Sequence, residues 1–189
     1  MATLSLNALK TGDYIKLNNR PYLVVSTQHL HIGRGGAVLK IKIKDIVENN
    51  LLEKTFKGDE KIEEAEIKKR KAIFLYQKGE NVFFMDGENY EEFDLPLSLL
   101  KEKIKFLKEG SEVKVIIFEN KPITIELPKK VELKVISAPP GVRGDTAQGS
   151  VTKPVTLETG LKIQAPLFIK EGDIIRVNTE KEEYVERVQ

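Results

Sequence analysis

Three consecutive stretches decide how this chain is read: Pro21-Tyr22-Leu23-Val24-Val25-Ser26-Thr27, then His29-Leu30-His31-Ile32-Gly33-Arg34-Gly35-Gly36-Ala37, then Val38-Leu39-Lys40-Ile41-Lys42-Ile43-Lys44. The outer two have the composition of strands. The second of them alternates strictly, Leu39, Ile41 and Ile43 facing one way and Lys40, Lys42 and Lys44 the other. Between them Gly33, Gly35 and Gly36 fall within four residues, which suits a hairpin turn needing positive φ. An element interior would lose stability there, because glycine gives up the most backbone entropy on ordering. Arms of about seven residues at about 3.3 Å each would hold the tip ~20 Å from its base. Arg34 is then the tip residue. It has two readings, an ordinary basic turn and a cation presented on a stalk. A phosphate-cradling loop is disfavoured, since no Gly-Lys-Ser/Thr ending is present and no helix follows.

Working outward, residues 1–64 read as β throughout, with about five short strands that suggest a small SH3-like (KOW-like) barrel. The Lys40, Lys42 and Lys44 row is by default a solvated face, although it lines the hairpin that carries Arg34. Residues 65–127 form a second β unit, with strands around Ile67–Tyr76, Asn81–Asp86, Glu112–Phe118 and Ile123–Leu127. A helical spacing from Leu97 to Leu107 ends at Gly110 as a C-cap. Five strands and one short helix predict an OB-like barrel. Phe74, Tyr76, Phe83 and Phe84 are core residues on alternation, with a base-stacking platform as the second reading. Residues 128–189 repeat the scheme as a second OB-like barrel, interrupted by the glycine-bounded loop Val142–Gly149. The fold expected is therefore all-β, three small β-barrels in series.

The composition narrows the classes of function. The chain has 189 residues, 40% hydrophobic and 32% charged, with a formal charge of +2, which describes a well-solvated globular protein. The three segments carry net charges of +2, −1 and +1, so no segment is a basic block and any RNA contact must come from local placement of charge. No cysteine is present, which removes disulfides, thiolate metal sites and a cysteine nucleophile. No apolar run approaches the ~20 residues of a membrane span. The N-terminal residues lack the basic-then-apolar order of a signal peptide, so the expected location is cytoplasmic. His29 and His31 are the two histidines and share one face of a strand, with no nearby thiol, so no metal is expected. Both sit on an exposed arm, a poor place to exclude water. No paired-carboxylate pattern is present, and an enzyme is not expected.

Several motifs occur together in order: Gly33-Arg34-Gly35-Gly36-Ala37, Phe56-Lys57-Gly58-Asp59, Phe84-Met85-Asp86, Leu127-Pro128, Gly141-Val142-Arg143-Gly144-Asp145-Thr146-Ala147, Lys153-Pro154, Thr159-Gly160, Ala165-Pro166-Leu167-Phe168-Ile169, and Glu183-Tyr184-Val185 with Arg187-Val188. This series resembles the bacterial elongation factor P family over essentially the whole chain. The third barrel favours the bacterial family, because related archaeal and eukaryotic factors stop after two domains. The resemblance implies an L-shaped tRNA mimic that binds the 70S ribosome between the peptidyl-tRNA and exit sites and relieves stalling at consecutive prolines. Arg34 would reach the CCA end of peptidyl-tRNA and hold a reactive geometry without transferring protons, a role suited to a permanently charged guanidinium. Gly33, Gly35 and Gly36 would form the tip loop, and His31, Lys40 and Lys42 would meet nucleic-acid backbone. Arg143, Gly144, Asp145 and Thr146 would lie on the small-subunit and anticodon side, near the exit-site mRNA codon. Tyr184 and Arg187 would be anticodon-stem contacts.

At the tip the chain departs from the lysine-bearing members of that family. His31-Ile32 replaces their Lys-Pro, and Arg34 replaces the modified lysine. Members with a rhamnosylated arginine usually continue with asparagine, where Gly35 stands here. The resemblance thus leaves Arg34 open between rhamnosylation by a modifying enzyme, another modification and none. No cofactor and no membrane partner are expected, and the short linkers near Glu64 and Leu127 suggest a monomer. Two alternatives remain, the elongation-factor-P-like paralogue and a stand-alone OB-fold single-strand nucleic-acid binder. The intact Gly144-Asp145-Thr146 argues against the first.

Overall fold

The computed structural model describes residues 3–31, 37–58, 60–140 and 152–188, with the backbone alone described at His31 and Ala37. It contains three antiparallel-rich, curled sheets. The first comprises β1 (Thr3–Ser5), β2 (Tyr14–Leu17), β3 (Arg20–His31), β4 (Ala37–Asp45), β5 (Leu51–Lys57) and β6 (Lys61–Glu64), in the order β1-β6-β2-β3-β4-β5. The second comprises β7 (Ile67–Lys78), β8 (Asn81–Asp86), β9 (Glu92–Pro96), β10 (Glu112–Phe118) and β11 (Lys121–Glu126), in the order β11-β10-β7-β8-β9. The third comprises β12 (Lys130–Ser137), β13 (Thr152–Leu157), β14 (Lys162–Pro166), β15 (Ile174–Asn178) and β16 (Glu183–Val188), in the order β14-β13-β12-β15-β16. The all-β expectation holds. By compactness the chain divides into two units, Met1–Arg70 with Val115–Thr124 and Lys71–Lys114 with Ile125–Gln189.

Each sheet buries the apolar set of its alternating strands. In the first, Ile15, Val24, Leu39, Ile41, Ile43 and Ile62 are almost fully enclosed. In the third, Leu133, Val135, Val155, Leu157, Ile175 and Val177 play the same part. Each such side chain contributes about 1.5–3 kcal/mol relative to exposure.

Two turn designs recur in all three sheets, and they explain sequence features that looked unrelated. Lys10-Thr11-Gly12-Asp13, Lys108-Glu109-Gly110-Ser111 and Lys170-Glu171-Gly172-Asp173 are the same tight turn. In each, the last residue's N–H donates to the lysine carbonyl, and its side-chain oxygen accepts from the lysine N–H at 2.7, 3.1 and 2.8 Å respectively. The glycines have φ of +98°, +82° and +92°, the third-position requirement of a type II turn. Each glycine N–H then donates across to a strand carbonyl, of Val24, Phe74 and Val135. Gly110 is therefore a turn glycine and not the helix C-cap expected from its position. The second design opens on Asp45, Asp86 and Asn178. Each side chain accepts from the N–H two residues on, and the residue four on closes the turn at positive φ (Asn49, Tyr90 and Glu182).

Other expectations needed correction. About five strands were expected over residues 1–64 and six are present, β1 pairing with β6. The helix foreseen over Leu97 to Leu107 lasts one turn, α1 (Leu97–Leu100), and passes into a 3-10 segment at Lys101–Phe106. No side chain caps its start after Pro96, and a single turn is costly to nucleate. The anchor of the segment is tertiary, because Phe106 enters the core of the third sheet. The turn predicted at Asn120-Lys121-Pro122 lies one residue earlier, with Glu119 and Asn120 at φ of +50° and +61°. Glu119 there bonds the Lys16 ammonium at 2.6 Å.

Candidate functional site

The hairpin of β3 and β4 is longer than the sequence indicated. The type I′ signature at Asn18 and Asn19, both at positive φ, starts β3 at Arg20, and the strand continues through His29, Leu30 and His31. The ladder runs from Tyr22 opposite Asp45 to His31 opposite Ala37. About nine residue steps at ~3.3 Å make it ~30 Å long. Residues 32–36 connect the arms, and Arg34 is the middle one in sequence. Arg34, Gly33, Gly35 and Gly36 lie outside the described residues, and so does the side chain of His31.

What holds this hairpin is visible at both ends. At the base, Asp45 is 3% exposed; its carboxylate accepts from Val47 N–H at 2.9 Å and Glu48 N–H at 2.8 Å, and Arg20 lies 3.2 Å away. Along its length, β4 is bonded on its second side by β5, from Lys44 opposite Leu51 to Val38 opposite Lys57. Strand β5 thus backs the stalk to within one residue of its described end. A bulge at Val25 lies between Val24 and Ser26, shifting the later residues of β3 relative to β4.

That bulge and the register define an outer face on which lysines stand among polar residues and among the apolar Leu30, Val38 and Leu51. Lys40 lies between Gln28 and Thr55, Lys42 between Ser26 and Glu53, and Lys57 beside Val38. Leu39, Ile41 and Ile43 fill the inner face. The lysine row is more than a solvated face, because Glu53 stands 3.0 Å from Lys40 and 3.4 Å from Lys42. Sequence reading missed Glu53, whose role depends on the pairing of its strand with the neighbouring β4. Its carboxyl is held below the usual range, first by the hydrogen bond from Lys40, then by the charge of Lys40 and the bond from Lys42, against a smaller opposing effect of burial. Four lysines (Lys40, Lys42, Lys44 and Lys57) and one carboxylate leave this face cationic.

The remaining candidates are scattered. Arg143, Gly144, Asp145 and Thr146 lie outside the described residues. Tyr184 packs half-buried against the third core. Arg187 lies over the Phe168 ring at 5.9 Å and 4.0 Å from Asp173. The four aromatics separate: Phe74 and Phe84 are core, whereas Tyr76 is 39% exposed and stacks on Phe83 on the opposite face. Among the described residues no group of three or more His, Cys, Asp or Glu could hold a metal, and no helix is long and apolar enough to cross a membrane.

Comparison with solved structures places the fold in a class. The chain is similar to a protein titled eukaryotic translation initiation factor 5A from Methanococcus jannaschii, with TM-score 0.54 and 26% identity over 67% of this chain and 92% of that one. A translation initiation factor eif-5a family protein from Naegleria fowleri shares the fold at TM-score 0.53, with 20% identity over 66% of this chain and 95% of that one. The class is that of translation factors built from small β-barrels.

Sequence families refine it. The elongation factor P KOW-like domain matches residues 5–62, its OB domain residues 67–125, and its C-terminal domain residues 131–187. Elongation factor P of Dictyoglomus turgidum is 44% identical, covering 97% of this chain and 99% of its own length. That of Coprothermobacter proteolyticus is 43% identical over 98% and 99%, and that of Aquifex aeolicus 42% over 100% and 98%. The chain belongs to the elongation factor P family. It is a translation elongation factor and not an enzyme.

Proposed function

We propose that this factor binds the 70S ribosome between the peptidyl-tRNA and exit sites and stimulates peptide-bond formation at consecutive prolines. In this reading Arg34 contacts the CCA end of peptidyl-tRNA. Proline's ring restricts the backbone, so the step limiting its reaction is alignment, and a fixed cation beside the tRNA end supplies alignment without chemistry. The observation that carries the reading is the stalk. A ladder ~30 Å long, anchored by buried Asp45 and backed by β5, ends at the connection whose central residue is Arg34. The cationic outer face, with Lys40 and Lys42, supports contact with tRNA backbone along the same element. His31 is proposed as a further backbone contact at its end. The segment Arg143-Gly144-Asp145-Thr146 is proposed to meet the small subunit and exit-site codon, and Tyr184 and Arg187 the anticodon stem. Arg34 is also proposed as the residue on which a modifying enzyme acts, rhamnosylation included. The cytoplasm is the compartment this work requires, and the factor acts as a monomer.

Translation of a message encoding consecutive prolines in a reconstituted system tests the reading, comparing the chain with its Arg34→Ala variant. Relief of the stall by the first and not the second is expected. If recombinant protein fails while mass analysis shows bare Arg34, native protein is assayed next. Failure of native protein refutes the proposal.

A further inference from the structure

The outer face of the stalk holds a carboxylate in the middle of its lysines. Register aligns three rows across β3, β4 and β5, namely Leu30-Val38-Lys57, Gln28-Lys40-Thr55 and Ser26-Lys42-Glu53. Among the described residues of these three strands Glu53 is the one acid on that face, because Asp45 alternates with Leu39, Ile41 and Ile43 and is buried with them. Past the end of β5, Glu60 accepts from the Lys57 N–H at 3.0 Å. The two oxygens of Glu53 divide between two cations. Oε2 stands 3.0 Å from Lys40 Nζ and Oε1 stands 3.4 Å from Lys42 Nζ. Lys40 and Lys42 are two residues apart on one strand, ~7 Å along it, so a single carboxylate spans both. The side chains of Lys40, Lys42 and Glu53 are 44%, 57% and 48% exposed, which leaves the bridge open to a competing anion.

Lysines bind a phosphate backbone as point charges and read no sequence, so an open row of them binds any nucleic acid it meets. A carboxylate spanning two of them is an internal counter-ion. A phosphate must displace it, and binding becomes the exchange of one anion for another. Exposed ion pairs stabilise little, so the exchange is easy for a backbone already held alongside at high effective concentration. A strand arriving from solution lacks that advantage and gains little from the exchange. We infer that Glu53 is a specificity-determining residue of the lysine row, occupying Lys40 and Lys42 so that the stalk engages the backbone of ribosome-held tRNA and rejects free RNA. The inference rests on the reading of Lys40 and Lys42 as tRNA-backbone contacts. Glu53 itself touches no tRNA in this scheme; it acts through the two ammonium groups.

Fluorescence anisotropy of a labelled twelve-residue oligouridylate, titrated with the full chain, measures the effect. In about 50 mM salt E53Q, which keeps side-chain shape on an exposed strand, should bind roughly three- to tenfold tighter than wild type. Its affinity should also fall more steeply with salt, by about one unit of slope. In a K40M/K42M background the same substitution should change affinity by less than about twofold, because the gain comes from the two released ammonium groups and not from a general change of field. In translation of the polyproline message, added oligouridylate should inhibit E53Q at a several-fold lower concentration than wild type. Unchanged or weaker oligouridylate binding by E53Q overturns the inference, as does an equal gain in the K40M/K42M background. Loss of hydrogen-exchange protection over 37–57 in E53Q, with no gain in binding, assigns the bridge to stability and overturns it too. K40M/K42M separates this inference from the reading beneath it. If that variant relieves the stall like wild type, the two lysines are not tRNA contacts and both fall. If it fails to relieve the stall while E53Q binds oligouridylate as wild type does, the inference about Glu53 falls alone.

Discussion

Replacing Asp45 by alanine tests the claim that the stalk is held from its base. The substitution removes the acceptor for Val47 N–H and Glu48 N–H and the partner of Arg20. A hydrogen bond to a charged group contributes about 1.5–3 kcal/mol, and loss of a comparable helix cap costs about 0.5–2 kcal/mol. The two donors are part-buried, so water recovers some of the loss, and Arg20, 46% exposed, adds about 1 kcal/mol at most. The total is about 2–3 kcal/mol, a rise on the order of 30- to 150-fold in opening of this hairpin. Asp45→Asn keeps an oxygen facing both donors and should cost only about 1 kcal/mol. Hydrogen exchange followed by mass spectrometry suits the measurement, since it reads local opening and does not need the whole chain to unfold as one unit. Peptides covering 20–31 and 37–57 should lose protection in Asp45→Ala, while peptides from the third sheet stay unchanged. Wild-type protection in Asp45→Ala, or equal loss in both variants, would refute the account of the turn.

Two further outcomes follow from the same contacts. The folded pKa of Glu53 is depressed, so its stabilising effect is present above the ordinary glutamate value and is lost as pH falls through the lower folded value. NMR titration of the Glu53 carboxyl should show a midpoint that rises in Lys40→Met, and an unmoved midpoint would deny Lys40 its leading part. Phe106, 2% exposed, belongs to the third core although its segment follows α1, so Phe106→Ala should destabilise that core by about 3–5 kcal/mol. Exchange in β12 and β15 reports this, and a loss confined to the second sheet would contradict the assignment.

How much of this could be read in advance depended on the range of each interaction. Strict alternation in Val38–Lys44 determined the strand, its buried face and its lysine face, because side chains on a pleated backbone alternate without reference to anything distant. The glycines at 12, 58, 79, 160 and 172 marked turns for the same local reason. The motif series was sufficient to reach the family, since it required only order along the chain. Bulges defeated the local rule: one extra residue at Val25 and at Leu75 changes the pairing beyond it, and Tyr76 turns outward as a result. Distant partners were equally invisible. Glu53 between two lysines, Phe106 in a core beyond its own sheet and β5 behind the stalk all depend on which segments fold together. By itself the sequence determined the all-β class, the hairpin and the cation at the middle of its connecting segment. Tertiary structure alone decided how far the stalk extends, what anchors it and which aromatics face solvent, because those follow from pairing register between strands and not from the pattern within one.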